Sequence, residues 1–124
     1  MSERLLLDTH LVLALLEPAT ANEAWTCETL FASVGSLWEI AIKVRRGRLD
    51  LAVHPARLEE RLDGFGCTLL PVTGKQVVAE VEPWPATNDP FDRLLLAVCS
   101  VEGLRLVTRD RHLVGHPLAW RPPT

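Results

Sequence analysis

The sequence predicts an α/β fold of three layers, in which a small parallel sheet of four to five strands is flanked by helices. Short apolar runs alternate with helical patterns along the chain, which is the arrangement that builds a parallel sheet. The first run, residues 5–7, is apolar at consecutive positions, as is typical of a central parallel strand buried on both faces. With 124 residues, 48% of them apolar, the chain is expected to form a single domain over residues 1–124.

The expected elements follow one another as strand and helix in turn, joined by short polar loops. Residues 18–28 are polar and irregular, with room for at most one helical turn around residues 22–27. Pro71 places the third strand at an edge or makes it end there. The expected strands are residues 5–7, 29–34, 67–72 and 105–108, with a possible last one at 118–120, and the expected helices are residues 9–17, 36–47, 55–62, 73–82 and 90–103.

Capping signals mark several helix ends. Ser36 and Glu39 fit a capping box that would begin the second helix, and Thr73 with Gln76 is another. Asp89 before Pro90 predicts the start of the last helix, because proline suits the first helical position and aspartate the cap.

Four acidic residues are expected at one edge of the sheet. Asp8 and Asp110 directly follow predicted strands, and Glu39 and Asp92 fall in the first turns of predicted helices. The crevice at the carboxyl ends of parallel strands is where such folds place their ligands. Each residue also has an ordinary explanation: Asp8 as a cap, Glu39 as half of a capping box, Asp92 as a helix-dipole partner and Asp110 as a turn residue. It is their expected convergence that favours a site.

Clustered carboxylates repel one another and raise each other's pKa unless a cation lies among them. Oxygen ligands without His or Cys spacing favour Mg²⁺ or Mn²⁺ over Zn²⁺. Such an ion can activate water for hydrolysis of a phosphodiester bond. The sequence has no phosphate-binding P-loop, no dinucleotide-binding glycine motif and no Ser-His-Asp order.

The formal charge of −3 argues mildly against a purely electrostatic nucleic-acid binder. If four of the 16 acidic residues face a cation, however, 12 remain against 13 Lys and Arg, which permits a polyanionic partner. A basic stretch beyond the second helix is explained by a solvated helix end or by phosphate contacts, for which Lys43 and Arg46 are the candidates. The four Trp are scattered, which favours core packing or an interface over base stacking.

Three widely spaced Cys without metal-binding spacing predict buried, reduced thiols. The four His show no ligand spacing and are expected to be structural. No signal peptide begins the chain, and the longest apolar runs, such as residues 11–16, are too short to cross a bilayer. We therefore expect a cytoplasmic protein with no membrane partner.

Four segments together resemble the PIN-domain family, and more narrowly the VapC-like toxins of prokaryotic toxin–antitoxin pairs. They are Leu6-Leu7-Asp8-Thr9-His10, Ser36-Leu37-Trp38-Glu39-Ile40-Ala41-Ile42-Lys43, Asp89-Pro90-Phe91-Asp92-Arg93 and Thr108-Arg109-Asp110. The resemblance covers nearly the whole chain in the family's order. Two departures stand out: residues 18–28 replace what would be a full second helix, and Gly35 is a less usual residue before Ser36.

The resemblance implies a PIN-like fold and a Mg²⁺- or Mn²⁺-dependent endoribonuclease whose catalytic and metal-binding residues are Asp8, Glu39, Asp92 and Asp110. Asp8 and Asp92 would be the firmest ligands, with Glu39 and Asp110 acting directly or through water. Thr9 and Thr108 would orient these ligands by hydrogen bonds, without contacting the metal themselves. The resemblance further implies an RNA substrate, a homodimer and a cognate VapB-like antitoxin whose tail occupies the active-site groove.

Arg93 has two expected roles, contact with an RNA phosphate or pairing with a neighbouring carboxylate, and the second is favoured. For the whole protein the leading hypothesis is a toxin ribonuclease. A PIN-like module that binds RNA or a protein partner with weak or lost catalysis is the alternative. A phosphatase with an acidic pocket ranks last, because Asp8-Thr9-His10 lacks the second Asp that its nucleophile would need.

Overall fold

The computed structural model describes residues 2–17 and 23–122, which form one parallel sheet with helices on both faces. Two short 3₁₀ segments, Ala24–Cys27 and Pro55–Arg57, supplement the regular elements. In chain order these elements are β1 (Arg4–Leu7), α1 (Thr9–Leu15), β2 (Thr29–Ser33), α2 (Val34–Arg45), α3 (Leu58–Gly64), β3 (Thr68–Leu70), α4 (Gly74–Val77), α5 (Pro90–Glu102) and β4 (Arg105–Val107).

The sheet has the strand order β3-β2-β1-β4, and all three neighbouring pairs are parallel. β1 is central: its Leu6 lies opposite Phe31 of β2 and Leu106 of β4. The chain winds outward from β1 to β3 and then returns to the other side of β1, so the order reverses between β1 and β4. Ligand crevices of open parallel sheets form at such a reversal. The predicted α/β class and parallel sheet are confirmed.

Two apolar layers enclose the sheet because successive side chains of a strand point to opposite faces. Leu5 and Leu7 pack with α1, α2 and α3, whereas Leu6 packs with α5 on the other face. All three leucines are completely buried, as the unbroken apolar run predicts for a strand covered on both sides.

α2 begins earlier than the sequence predicts. Its N-cap is Ser33, whose hydroxyl accepts a hydrogen bond from the Gly35 amide at 3.0 Å. The expected capping box of Ser36 and Glu39 is therefore wrong, and Glu39 lies in the second turn. Gly35 faces α5 so closely that a Cβ atom there would lie 2.5 Å from Leu94 Cδ2. The less usual glycine thus permits the close approach of α2 and α5.

α4 is shorter than predicted. Thr73 and Gln76 form the predicted capping box, but the helix ends at Val77 instead of continuing towards residue 82. Its last residue and Val78 are 59% and 76% exposed, so a longer helix would gain little burial there. The chain instead leaves the helix and buries Val81 in the layer beside α5. Tertiary burial overrides the local helical signal.

The remaining predictions agree with the structure in kind. The last helix has its Asp89 cap and ends at Gly103, whose φ of +70° suits glycine. β3 is an edge strand, and the possible final strand is a single bridge between Ala119 and Leu106. α1 ends at Leu15; Pro18, expected to stop it, and residues 19–22 of the irregular segment lie outside the described residues.

The cysteines differ partly from expectation. Cys67 and Cys99 are buried free thiols, and burial raises the pKa of each to about 12. Cys27 is also free but exposed, and Trp25 is the buried residue of its 3₁₀ segment, so the predicted burial of Cys27 is wrong. Among the helices of the described residues, none has the length and apolarity needed to span a membrane.

Candidate active site

Asp8 lies where β1 ends, beside the end of β4. Its amide donates to the Val107 carbonyl at 3.0 Å, which extends the β1–β4 pairing by one step. One carboxylate oxygen caps α1 by accepting from the Leu11 amide at 3.0 Å, and the other accepts from the Thr108 hydroxyl at 2.5 Å. Asp8 is thus both the predicted helix cap and a fixed carboxylate, only 4% exposed.

The pKa of Asp8 is raised above its ordinary value, chiefly because burial disfavours the charged form. The hydrogen bonds from Thr108 and Leu11 and the charge of His10 act in the opposite direction, and Asp110 adds to the rise.

Glu39 reaches the same edge from α2. Its Oε1 accepts from the Thr9 hydroxyl at 2.7 Å, and its Oε2 lies 2.9 Å from Lys43 Nζ, one helical turn further on. The Ser36 hydroxyl lies 3.1 Å from that of Thr9, so this serine supports the α1–α2 contact instead of capping a helix. Glu39 is 7% exposed and has its charge partly neutralised by Lys43.

Asp92 lies in the first turn of α5, as predicted. Its Oδ2 accepts from the Thr87 hydroxyl at 3.3 Å. Burial raises the pKa of Asp92 to about 6, with further upward contributions from the charges of Asp89, Asp110 and Glu39. The Thr87 hydrogen bond opposes that rise.

Asp110 follows β4 by a short turn built on Thr108. The Thr108 hydroxyl accepts from the Asp110 amide at 3.0 Å and donates to Asp8, so one side chain joins two of the acidic residues. Asp110 Oδ1 accepts from the His112 amide at 2.7 Å and lies 3.2 Å from His112 Nδ1.

The four predicted acidic residues therefore occupy one region, which we call the acidic cluster (Asp8, Glu39, Asp92 and Asp110). The charge of Asp110 raises the pKa of both Asp8 and Asp92, and the charge of Glu39 raises that of Asp92. The Thr9 hydroxyl connects Glu39 back to the residue next to Asp8. Two features of the fold bring these residues together. The strand order reverses between β1 and β4, and α2 approaches α5 closely at Gly35.

The chemistry of the cluster fits a hard divalent cation, since its donors are carboxylates and hydroxyls. As the side chains of the described residues stand, no three His, Cys, Asp or Glu groups lie close enough together to hold one ion. Mg²⁺ commonly uses one or two carboxylates and retains several waters, which is a coordination that this cluster could provide.

The predicted basic residues take other positions. Lys43 is paired with Glu39, and Arg46 is exposed at the C-cap of α2. Arg93 donates from Nε to the Thr87 carbonyl at 3.0 Å, and its guanidinium carbon lies 4.5 Å from the centre of the Trp84 ring. The favoured prediction, that Arg93 pairs with a neighbouring carboxylate, is wrong. Its guanidinium instead contacts the Thr87 carbonyl and the Trp84 ring.

The sequence interpretation missed two residues that contact the acidic cluster, Thr87 and His112, and the Ser36 hydroxyl that contacts Thr9. Thr87 and His112 are close in sequence to the carboxylates they contact, but neither contact follows a hydrophobic period. Only Thr87, two residues before the Asp89 cap, stood where a helix entry could have suggested a role. The structural expectation for the histidines holds for His116, which is buried and bonded to the Pro83 carbonyl at 2.9 Å.

An apolar groove of about 610 Å³ lies beside the cluster, between α4, the segment that precedes α5, and α5 itself. Trp38 and Phe91 meet edge to face at its rim, with ring centroids 5.7 Å apart. Trp38 and Trp84 are each 63% exposed, whereas Trp25 is buried in the core. Trp38 precedes Glu39 in sequence, and Trp84 lies against Arg93, which follows Asp92.

Residues 5–115 match the family model of the PIN domain. No curated protein matches the chain closely enough to count as a named relative.

Proposed function

Because the chain belongs to the PIN domain family, whose members are generally nucleases that use divalent metal ions, we propose that it is a Mg²⁺- or Mn²⁺-dependent endoribonuclease. The observation that carries the proposal is the acidic cluster. Its four carboxylates come from widely separated parts of the chain, yet their charges influence one another at the carboxyl edge of the sheet. Such repulsion is costly in a protein that has no cation to offset it.

In this proposal Asp8 and Asp92 hold the metal ion, and Glu39 and Asp110 complete the pocket directly or through water. When bound, the ion supplies the Lewis acidity that activates water and neutralises charge developing on the scissile phosphate. Thr108 fixes the Asp8 carboxylate, and Thr9 fixes that of Glu39, through the hydrogen bonds described above. Asp92, with a pKa of about 6, is mostly ionised at neutral pH and therefore available as a ligand.

The finer proposal is that the enzyme is the toxin of a toxin–antitoxin pair, acting as a cytoplasmic homodimer that a VapB-like antitoxin silences. It rests on the resemblance of the SLWEIAIK, DPFDR and TRD segments to VapC-like toxins. The exposed Trp38 and Trp84 beside the cluster support it, because large apolar groups on a surface commonly mark contacts with partners.

A binding module with weak or lost catalysis is the second candidate. It is favoured by the pairing of Lys43 with Glu39 and by the spacing of the acidic groups in the described residues, which is too wide for three of them to share an ion. Calorimetric titration with Mn²⁺ separates the two candidates. A nuclease should bind the ion through the cluster, and Asp92→Asn should weaken that binding, whereas the module should give no carboxylate-dependent heat.

Cleavage of a structured RNA mixture tests the proposed reaction. Wild type, Asp92→Asn and Asp89→Asn are compared with Mg²⁺, with Mn²⁺ and with EDTA at pH 8. Asp89→Asn is the matched control, since asparagine keeps the helix cap and the residue is exposed. We expect metal-dependent cleavage by wild type and the control, reduced at least about a hundredfold in Asp92→Asn. Equal cleavage by Asp92→Asn would remove Asp92 from the mechanism.

A further inference from the structure

The segment that leads into α5, residues 83–89, is held at its start and in its middle by side chains from elsewhere. At its start, the Pro83 carbonyl lies 2.9 Å from Nε2 of His116, while Nδ1 of the same ring accepts from the Leu118 amide at 3.1 Å. These two contacts are satisfied together by the neutral tautomer that carries its proton on Nε2. The start of the segment is therefore anchored to the turn that follows β4.

The middle of the segment is held by Arg93, which lies one turn inside α5. Its Nε donates to the Thr87 carbonyl at 3.0 Å, and the guanidinium lies 4.5 Å above the Trp84 ring. Stacking over an aromatic face and directed hydrogen bonding both use the planar guanidinium, and lysine cannot reproduce them.

Thr87 connects this segment to the acidic cluster. Its hydroxyl accepts from the Asp89 amide at 3.1 Å, so the hydroxyl proton can be directed at Asp92 Oδ2, 3.3 Å away. The position of that hydroxyl depends on the Thr87 backbone, whose carbonyl Arg93 holds.

We propose that Arg93 is a positioning residue: with Trp84 it fixes residues 83–89, and through Thr87 it orients the Asp92 carboxylate. The inference assigns Arg93 an internal role in place of contact with an RNA phosphate. Its consequence for metal binding rests on the proposed function, but its structural part does not.

Amide hydrogen exchange of the metal-free protein tests the structural part. Arg93→Lys and Arg93→Gln should both raise the exchange rate of the Asp89 amide about fivefold, since a bond worth about 1 kcal/mol is loosened. Arg57→Lys is the control, because Arg57 is exposed and pairs with Glu60 of α3, on the face of the sheet opposite α5. The control should leave the Asp89 amide unchanged, and unfolding curves verify that each variant is folded.

Mn²⁺ titration of the same proteins tests the consequence. Both Arg93 variants should bind Mn²⁺ about tenfold more weakly than wild type, as is usual when support behind a ligand is lost. Thr87→Val should weaken Mn²⁺ binding to a similar extent, whereas Thr87→Ser, which keeps the hydroxyl, should retain the wild-type affinity. The double variant Arg93→Gln/Thr87→Val should bind Mn²⁺ no more weakly than either single variant.

The outcomes separate the two proposals. Unchanged exchange at Asp89 in Arg93→Lys would overturn the inference, as would Mn²⁺ affinity that only the charge-removing Arg93→Gln affects. Wild type that binds no Mn²⁺ would instead overturn the proposed function, while increased exchange in the Arg93 variants would still support the positioning of residues 83–89.

Discussion

At the Asp92 carboxylate, burial and three neighbouring acidic residues all favour the protonated form, and a single threonine hydroxyl opposes them. The pKa of about 6 lies above the ordinary value of 3.8, so the native state binds more protons than the unfolded state between about pH 4 and pH 6. Stability contributed by this group is therefore present at low pH and is lost as the pH rises through about 6. Ionised Asp92 therefore destabilises the metal-free fold at neutral pH.

The first prediction follows from the loss of stability that ionised Asp92 causes as the pH rises. In EDTA, Asp92→Asn should unfold at a higher urea concentration than wild type at pH 7.5, and the difference should shrink as the pH falls below 3.8, where Asp92 is mostly protonated in both states. Urea titrations at several pH values measure it. Asp63→Asn, an exposed change on α3, should show no such pH-dependent gain. A gain of equal size at every pH would contradict the assigned pKa.

At the scale of single elements, the start of α2 determines where Glu39 points. Ser33 caps the helix from the end of β2, and Gly35 allows the next residues to approach Leu94 of α5. This brings Glu39 towards Asp92, whose pKa responds to its charge. The helix start is thus part of the construction of the site.

We predict that Ser33→Ala lowers the free energy of unfolding by about 1 kcal/mol, which is typical for the loss of an N-cap side chain. Ser36→Ala should cost less, because Ser36 caps no helix and the Thr9 hydroxyl keeps its bond to Glu39. Chemical denaturation of the two variants measures the difference. A larger loss of unfolding free energy in Ser36→Ala than in Ser33→Ala would instead indicate that Ser36 caps the helix.

At the scale of the whole molecule, a cation bound to the acidic cluster would stabilise the native state, because the cluster is assembled only when the chain is folded. The acidic residues lie far apart in sequence, so the unfolded chain offers no comparable site. Metal binding and folding are then linked.

We predict that Mn²⁺ at 100 times its dissociation constant raises the free energy of unfolding of wild type by about 2.7 kcal/mol. Asp8→Asn should lose most of this gain while keeping its fold, since asparagine also caps helices well. Denaturation with Mn²⁺ and with EDTA measures the effect. An equal gain in Asp8→Asn would place the ion away from Asp8.

Local signals in the sequence predicted the strands, most helix ends and the four acidic positions. The apolar triplet at residues 5–7 predicts a buried strand, and Asp89-Pro90 predicts a helix start. Each prediction depends on neighbouring residues alone. The acidic positions followed from one added rule, that the carboxyl ends of parallel strands share an edge. The sequence by itself therefore determined the fold class and the members of the acidic cluster.

The tertiary structure alone decided how those members are held. Thr87 and His112 contact the cluster, Ser36 contacts Thr9, and Arg93 stacks on Trp84, through side-chain contacts that hydrophobic periodicity does not predict. The end of α4 and the start of α2 likewise depend on what each segment buries against its neighbours. The physical reason is the same throughout: a hydrogen-bonding side chain can satisfy itself with any suitable partner, and only packing decides which partner is within reach.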